Sequence, residues 1–181
     1  MANQSLTYLL KVDGVTGDSR IDGYQGYFTV DEFTFNELTK LAAAGAGTGG
    51  GAGKAQFDPL MVDIAGLPPG LVTLLKDAAT GKHIPSIELV GLQPAGDGPL
   101  QKVYDLTLNN VTVAGYAADG GHDTALAFDY TRLTETIKSQ NSDGSLNAGQ
   151  TFAFNVTNGN TPVNHDALAG FAHSHDGFFL V

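Results

Sequence analysis

Hydrophobic and polar positions alternate with a period of two over most of this chain. In residues 5–13, Leu6, Tyr8, Leu10 and Val12 share one parity, and Thr7, Lys11 and Asp13 share the other. That is the pattern of a half-buried strand. Residues 26–38 read as a long strand whose apolar parity switches from Phe28 and Val30 to Phe33 and Phe35. The switch at Asp31–Glu32 predicts a β-bulge, and two short successive strands are the alternative. Residues 55–64 form a further strand, with Pro59 marking an edge or a bulge. Residues 84–92 place Ile84, Val90 and Leu92 on one parity and Ile87 and Leu89 on the other, which predicts burial on both faces or another bulge. Residues 100–115 and 125–137 are long strands. Their parity changes at Asn109–Asn110 and between Tyr130 and Leu133. Phe152, Phe154 and Val156 define a last clear strand.

Turn chemistry separates these runs at residues 14–23, 66–70, 94–99, 118–123 and 140–149, all rich in Gly, Pro, Asp, Asn or Ser. One segment departs from period two. Leu71, Leu74, Leu75 and Ala78 follow helical spacing, with Pro69 before them and Gly81 just past the end. Seven or eight strands with repeated parity switches, plus one short amphipathic helix near residues 70–80, predict a closed, mainly antiparallel β-barrel with the helix at its side.

Composition supports this picture. Charged residues are only 15% of the 181, and 24 are glycine. That disfavours long helices and fits strands joined by many turns. The net charge of −10 makes sequence-independent binding of nucleic acid or of an anionic membrane surface unfavourable. The last basic residue is Lys138, so residues 139–181 carry no Lys or Arg. There is no cysteine, which excludes disulfides, thiolate metal sites and a Cys nucleophile. The first residues lack the basic and uninterrupted apolar regions of a Sec signal peptide, and no stretch of about 20 apolar residues predicts membrane insertion.

Candidate catalytic chemistry is sparse. Residues 47–54 read GTGGGAGK and superficially resemble a phosphate-binding loop, but Ala55 stands where Ser or Thr would hold magnesium, and a strand pattern follows instead of a helix. His173, His175 and Asp176, with His165 and Asp166, offer metal-capable donors, but in a loop-like tail. No serine sits in a G-x-S-x-G elbow. Asp31 and Glu32 are adjacent and would face opposite sides of a strand. The expectation is a protein without catalytic residues, cofactor or metal.

Two segments stand out as candidate contact surfaces. The first is the Gly-rich run of residues 41–53, with Gly45, Gly47, Thr48, Gly49, Gly50, Gly51 and Gly53. It has few side chains to anchor it and is expected to be ordered by a neighbour. The second is the apolar end Phe178, Phe179, Leu180 and Val181, which either folds back on its own barrel or docks on another subunit by adding a strand.

These features, in order, resemble the haemolysin-coregulated protein (Hcp) family, the tube subunit of bacterial type VI secretion. YLLKVDGVTGDSR is similar to the family's opening strand and turn. GYFTVDEFTFNE sits at its second strand, and GTGGGAGKAQFDPLMV follows in the expected place. PPGLVTLLKDAATGKHIPSIELVGLQ resembles its helix, GKH-like turn and next strand, with the turn at Gly81, Lys82 and His83. VYDLTLNNVTVAGYAADGG and TALAFDYTRLTETI resemble the following pair, and GQTFAFNVTNGN the final strand, with Phe154 where the family commonly has Trp. The resemblance covers residues 5–158. It divides the chain into an Hcp-like barrel, residues 1–158, and a C-terminal extension, residues 159–181. It implies a non-catalytic protomer that assembles as a hexameric ring and stacks into a hollow tube, with the Gly-rich loop reaching the adjacent ring. It also implies effectors carried in the lumen, sheath or spike proteins as further partners, and passage from cytoplasm to exterior without a Sec signal. The alternative is a secreted Hcp-like adaptor whose C-terminal extension engages another protein.

Overall fold

The computed structural model describes residues 6–39, 55–95, 98–118, 123–156 and 179–180. The elements in order are β1 (Thr7–Val12), β2 (Phe28–Thr34), β3 (Glu37–Thr39), β4 (Ala55–Phe57), β5 (Leu60–Ala65), α1 (Gly70–Thr80), β6 (Ile84–Pro94), β7 (Leu100–Ala118), β8 (Asp123–Asp129), β9 (Arg132–Ile137), β10 (Gln150–Asn155) and β11 (Phe179–Leu180). Every strand pairing is antiparallel. The order β7-β6-β1-β2-β5-β8 closes on itself because β8 also pairs with β7, giving a six-stranded barrel. β9 and β10 continue outward from β7, and β3 and β4 form a separate two-stranded ribbon.

The nineteen residues of β7 serve two structures at once. One edge takes β6 as far as Val111. The other takes β9 along Tyr104–Asn109 and then β8 from Thr112 onward. The parity change predicted at Asn109–Asn110 lies at the junction. Asn110 has φ 50°, and its amide Nδ2 donates to Thr131 Oγ1 at 3.0 Å across the β8–β9 break. A left-handed residue is costly for most side chains and tolerable for Asn. Asn110 thus ties the middle of β7 to the β8–β9 break.

The bulge predicted at Asp31–Glu32 is present as a register shift against β5 between Val30 and Glu32. It leaves Asp31 beside Asp123, and desolvation together with the Asp123 carboxylate holds the Asp31 carboxyl above its usual range. Both readings of residues 26–38 apply, because the strand also breaks after Thr34 into β2 and β3. Residues 55–64 likewise divide into β4 and β5, with Pro59 in the gap.

The core fills the barrel with Leu10, Phe28, Val62, Ile64, Ile87, Leu89, Leu106, Leu108, Leu126 and Phe128, closed by Leu71, Leu74 and Ala78 of α1. Gly81 ends the helix in the left-handed conformation at φ 62°, and its N–H bonds the Ala78 carbonyl. The helix stripe needs one correction. Leu75 is 47% exposed and, with Val72 (73%) one turn away, makes an outward apolar ridge on α1.

β1 is also more deeply buried than a half-buried strand. Leu9 packs with Val90 and Leu92 on the outer face of the barrel, beneath Ile21, Tyr24 and Tyr27. The segment that reads as a simple polar turn, residues 14–23, is the beginning of a strap that covers this face. Gly17 N–H donates to Gly26 O at 2.7 Å and Ser19 N–H to Tyr27 O at 2.8 Å, so the strap is bonded to itself. Mixed parity in β6 has the same cause: Ile87 and Leu89 point inward while Val90 and Leu92 lie under the strap.

Candidate assembly surfaces

The strap is tied down by a polar cluster on the outer face. Tyr27 Oη donates to Glu88 Oε2 at 2.8 Å, and Lys102 Nζ donates to Glu88 Oε1 at 3.0 Å and to Asp105. Burial alone would lower the Lys102 ammonium, but its hydrogen bonds to Asp105 and Glu88 raise it above the ordinary lysine value. Desolvation and the Glu88 carboxylate push the Tyr27 phenol up to about 12. Tyr104 and Tyr130 also lie well above the usual tyrosine value, chiefly through burial, with Glu135 acting on Tyr104 and Asp129 and Asp58 on Tyr130.

The sign of the pH dependence follows. Above pH ~10 an unfolded tyrosine loses its proton while these three keep theirs, so the unfolded state binds fewer protons and stability falls as pH rises. Tyrosinate absorbance from Tyr27 is therefore expected only near pH 12, and that from Tyr104 and Tyr130 later still or together with loss of the folded far-UV signal. A full six-tyrosine step near pH 10 in folded protein would contradict this.

The ribbon β3–β4 holds the two ends of residues 40–54. Glu37, Leu38 and Thr39 pair with Phe57, Gln56 and Ala55. The sequence-predicted contact residues Gly45, Gly47, Thr48, Gly49, Gly50, Gly51 and Gly53 lie in the connection, outside the described residues. What the structure adds is the foundation of the ribbon. Phe35 stacks on Phe57 at 6.3 Å between centroids, Phe57 meets Phe154 at 5.3 Å, and Phe154 stacks on Phe152 at 6.1 Å. Tyr130 closes the row at 6.2 Å from Phe35 and donates its hydroxyl to Asp58 O at 2.9 Å. Aromatic pairs of this kind contribute about 0.5–1.5 kcal/mol each beyond area burial. A groove of about 380 Å³ runs along this row, with Glu37 and Glu135 at its margin.

Sequence reading missed this groove. Its aromatic residues come from three separated segments, and only their alternation hinted that they share a face. Phe152 is 52% exposed in β10, which pairs only with β9 among the described strands.

The C-terminal residues divide. Phe178 and Val181 lie outside the described residues. Phe179 and Leu180 form β11, whose backbone pairs with Tyr116 and Gly115 of β7. The donors His165, Asp166, His173, His175 and Asp176 lie outside the described residues. Among the described residues, no group of three or more His, Asp or Glu side chains is placed to hold a metal, and no helix is long and apolar enough to cross a membrane.

Residues 9–140 match the family model for "Type VI secretion system effector, Hcp". The chain belongs to the Hcp family. Its role is accordingly structural, in the tube of a type VI secretion system. Solved structures agree on the Hcp fold. A type six secretion system protein superposes with a TM-score of 0.77 at 22% identity, covering 86% of this chain and 98% of that one. Hcp1 from Salmonella typhimurium gives 0.65 at 21% identity over 85% and 97%. A type VI secretion system effector from Yersinia pestis gives 0.61 at 15% over 82% and 99%. These chains are almost wholly covered, whereas between about one seventh and one fifth of the present chain has no counterpart in them. No curated protein matches the sequence.

Proposed function

We propose that this Hcp protein is a non-catalytic, self-assembling subunit that forms a hexameric ring, and that rings stack into a hollow tube able to carry effectors in its lumen. The observation that carries the reading is a closed barrel of the Hcp fold with a ribbon, β3–β4, standing apart from the main sheet at the base of a Gly-rich connection. A barrel removes most free sheet edges, so assembly must use what projects from it. The described surface offers the ribbon, the open strand β10 and the α1 ridge. A protomer of this kind is made in the cytoplasm and leaves the cell through the apparatus, with sheath and spike proteins as further partners.

Negative-stain microscopy and light scattering of the purified protein test the proposal. Rings of six, and tubes at high concentration, are the expected result. A species that stays near 18.8 kDa at all concentrations would overturn it. Isolated subunits that bind another secreted protein through residues 159–181 would favour the adaptor reading instead.

A further inference from the structure

The edge of β7 that β6 leaves at Val111 is unusual for a barrel protein. From Thr112 to Ala118 its other edge is filled by β8, while on this edge the strand pairing among the described residues is that of Phe179 and Leu180. The residues are Thr112, Val113, Ala114, Gly115, Tyr116, Ala117 and Ala118, with no charge and no proline. Proteins protect an exposed edge with Lys, Pro or a covering segment. Here the edge is unprotected in sequence and built to be paired. It is also mostly small, Ala-Gly-Tyr-Ala-Ala, whereas the chain end Phe-Phe-Leu-Val is large and apolar. An added strand draws its affinity from main-chain hydrogen bonds.

The fold does not need this strand. The barrel closes through the β7–β8 pairing without it. Among the described residues the ladder pairs Phe179 with Tyr116 and Leu180 with Gly115. The 22 residues 157–178 connect it to the barrel. Fully extended, they span up to ~70 Å, several times the ~15 Å radius of gyration of a 158-residue domain. The same strand therefore reaches the equivalent edge on a neighbouring copy, and exchange preserves every contact it makes at home.

We propose that Phe179–Leu180 is exchanged between subunits. In the assembled protein it adds antiparallel to β7 of an adjacent copy at Gly115 and Tyr116, linking neighbours through an arm that the barrel itself does not require. This rests on the self-assembly reading above.

Because the chain has no native cysteine, cross-linking is clean. Directly opposed residues of an antiparallel pair lie close to disulfide range. Tyr116→Cys chains are co-assembled with Phe179→Cys chains that carry a mass tag, then oxidised and run on a non-reducing gel. The expected product is a tagged–untagged covalent dimer as the major band. Gly115→Cys with Leu180→Cys repeats the test should the first pair perturb folding. Thr151→Cys on β10, mixed with Phe179→Cys, is expected to give at least tenfold less dimer; equal yield would mean random collision and overturn the proposal. An internal disulfide in the doubly substituted single chain, with no dimer in the mixture, would mean that the strand stays at home and would also overturn it. So would failure of both pairs to link. Microscopy of the same samples keeps the readings apart. Rings without cross-links sink the exchange alone, whereas cross-linked dimers without rings sustain the exchange and sink the ring.

Discussion

Adding a single methyl group at Gly17 or at Gly70 is expected to destabilise the protein by about 3 kcal/mol, at the upper end of the range for overpacking. A Cβ on Gly17 would lie 2.3 Å from the Tyr27 carbonyl oxygen and 2.5 Å from the Phe28 nitrogen. A Cβ on Gly70 would lie 2.3 Å from the Thr16 carbonyl oxygen and 2.8 Å from the ring of Phe28. Both positions therefore belong to one crossing, where the strap, the start of β2 and the first turn of α1 meet backbone to backbone. The obstructing atoms are main chain, so no rotamer change relieves the clash. Relief requires α1 or the strap to lift, which opens the core at Phe28, Leu71 and Leu74.

For a domain of this size the expected loss is roughly 6–12 °C in melting temperature. It is measured at equal protein concentration, because assembly adds stability by mass action. Gly23→Ala is the control. Gly23 has φ 80° and open space where the Cβ would go, so only the left-handed backbone penalty of about 1 kcal/mol applies. Melting curves for Gly17→Ala and Gly70→Ala that match Gly23→Ala would show that the crossing is looser than described.

The second large effect concerns the Gly-rich connection. Deletion of residues 45–51 is expected to abolish tubes while leaving ring formation and barrel stability unchanged. Ordering this run costs roughly 1–2 kcal/mol per residue in backbone entropy. Its sequence, largely Gly and Ala, has little with which to offset that cost on its own barrel. A neighbour's surface must supply the difference, and the resemblance points to the adjacent ring. The base of the ribbon is independently secured by the row Phe35, Phe57, Phe154 and Tyr130, so shortening the tip spares the barrel. Microscopy reads tubes against rings, and thermal melting reads the barrel. Normal tubes from the deleted protein would remove the stacking role from Gly45, Gly47, Gly49, Gly50 and Gly51.

By itself the sequence determined the local grammar. Period-two alternation specified strands, and each parity change proved to be a physical event: the register shift after Val30, the left-handed Asn110, and the break between Tyr130 and Arg132. The helix and its Gly81 stop were equally legible, because helical spacing and a C-terminal glycine are properties of neighbouring residues. The repeated parity switches pointed to a closed barrel, and the family resemblance carried the secretion role.

Tertiary structure alone decided what covers what. Leu9 looks like the outer face of a half-buried strand until a strap, itself rich in polar residues, closes over it together with Val90 and Leu92. The aromatic row under the ribbon joins Phe35, Phe57, Tyr130 and Phe154, whose separations along the chain carry no periodicity. The stretch of β7 edge that β6 leaves free exists because β6 begins at Ile84, opposite Val111, while β7 runs on to Ala118. A strand's pattern records which residues are apolar. Whether both its edges and both its faces are occupied depends on segments far away in the sequence, and only closure of the barrel settles that.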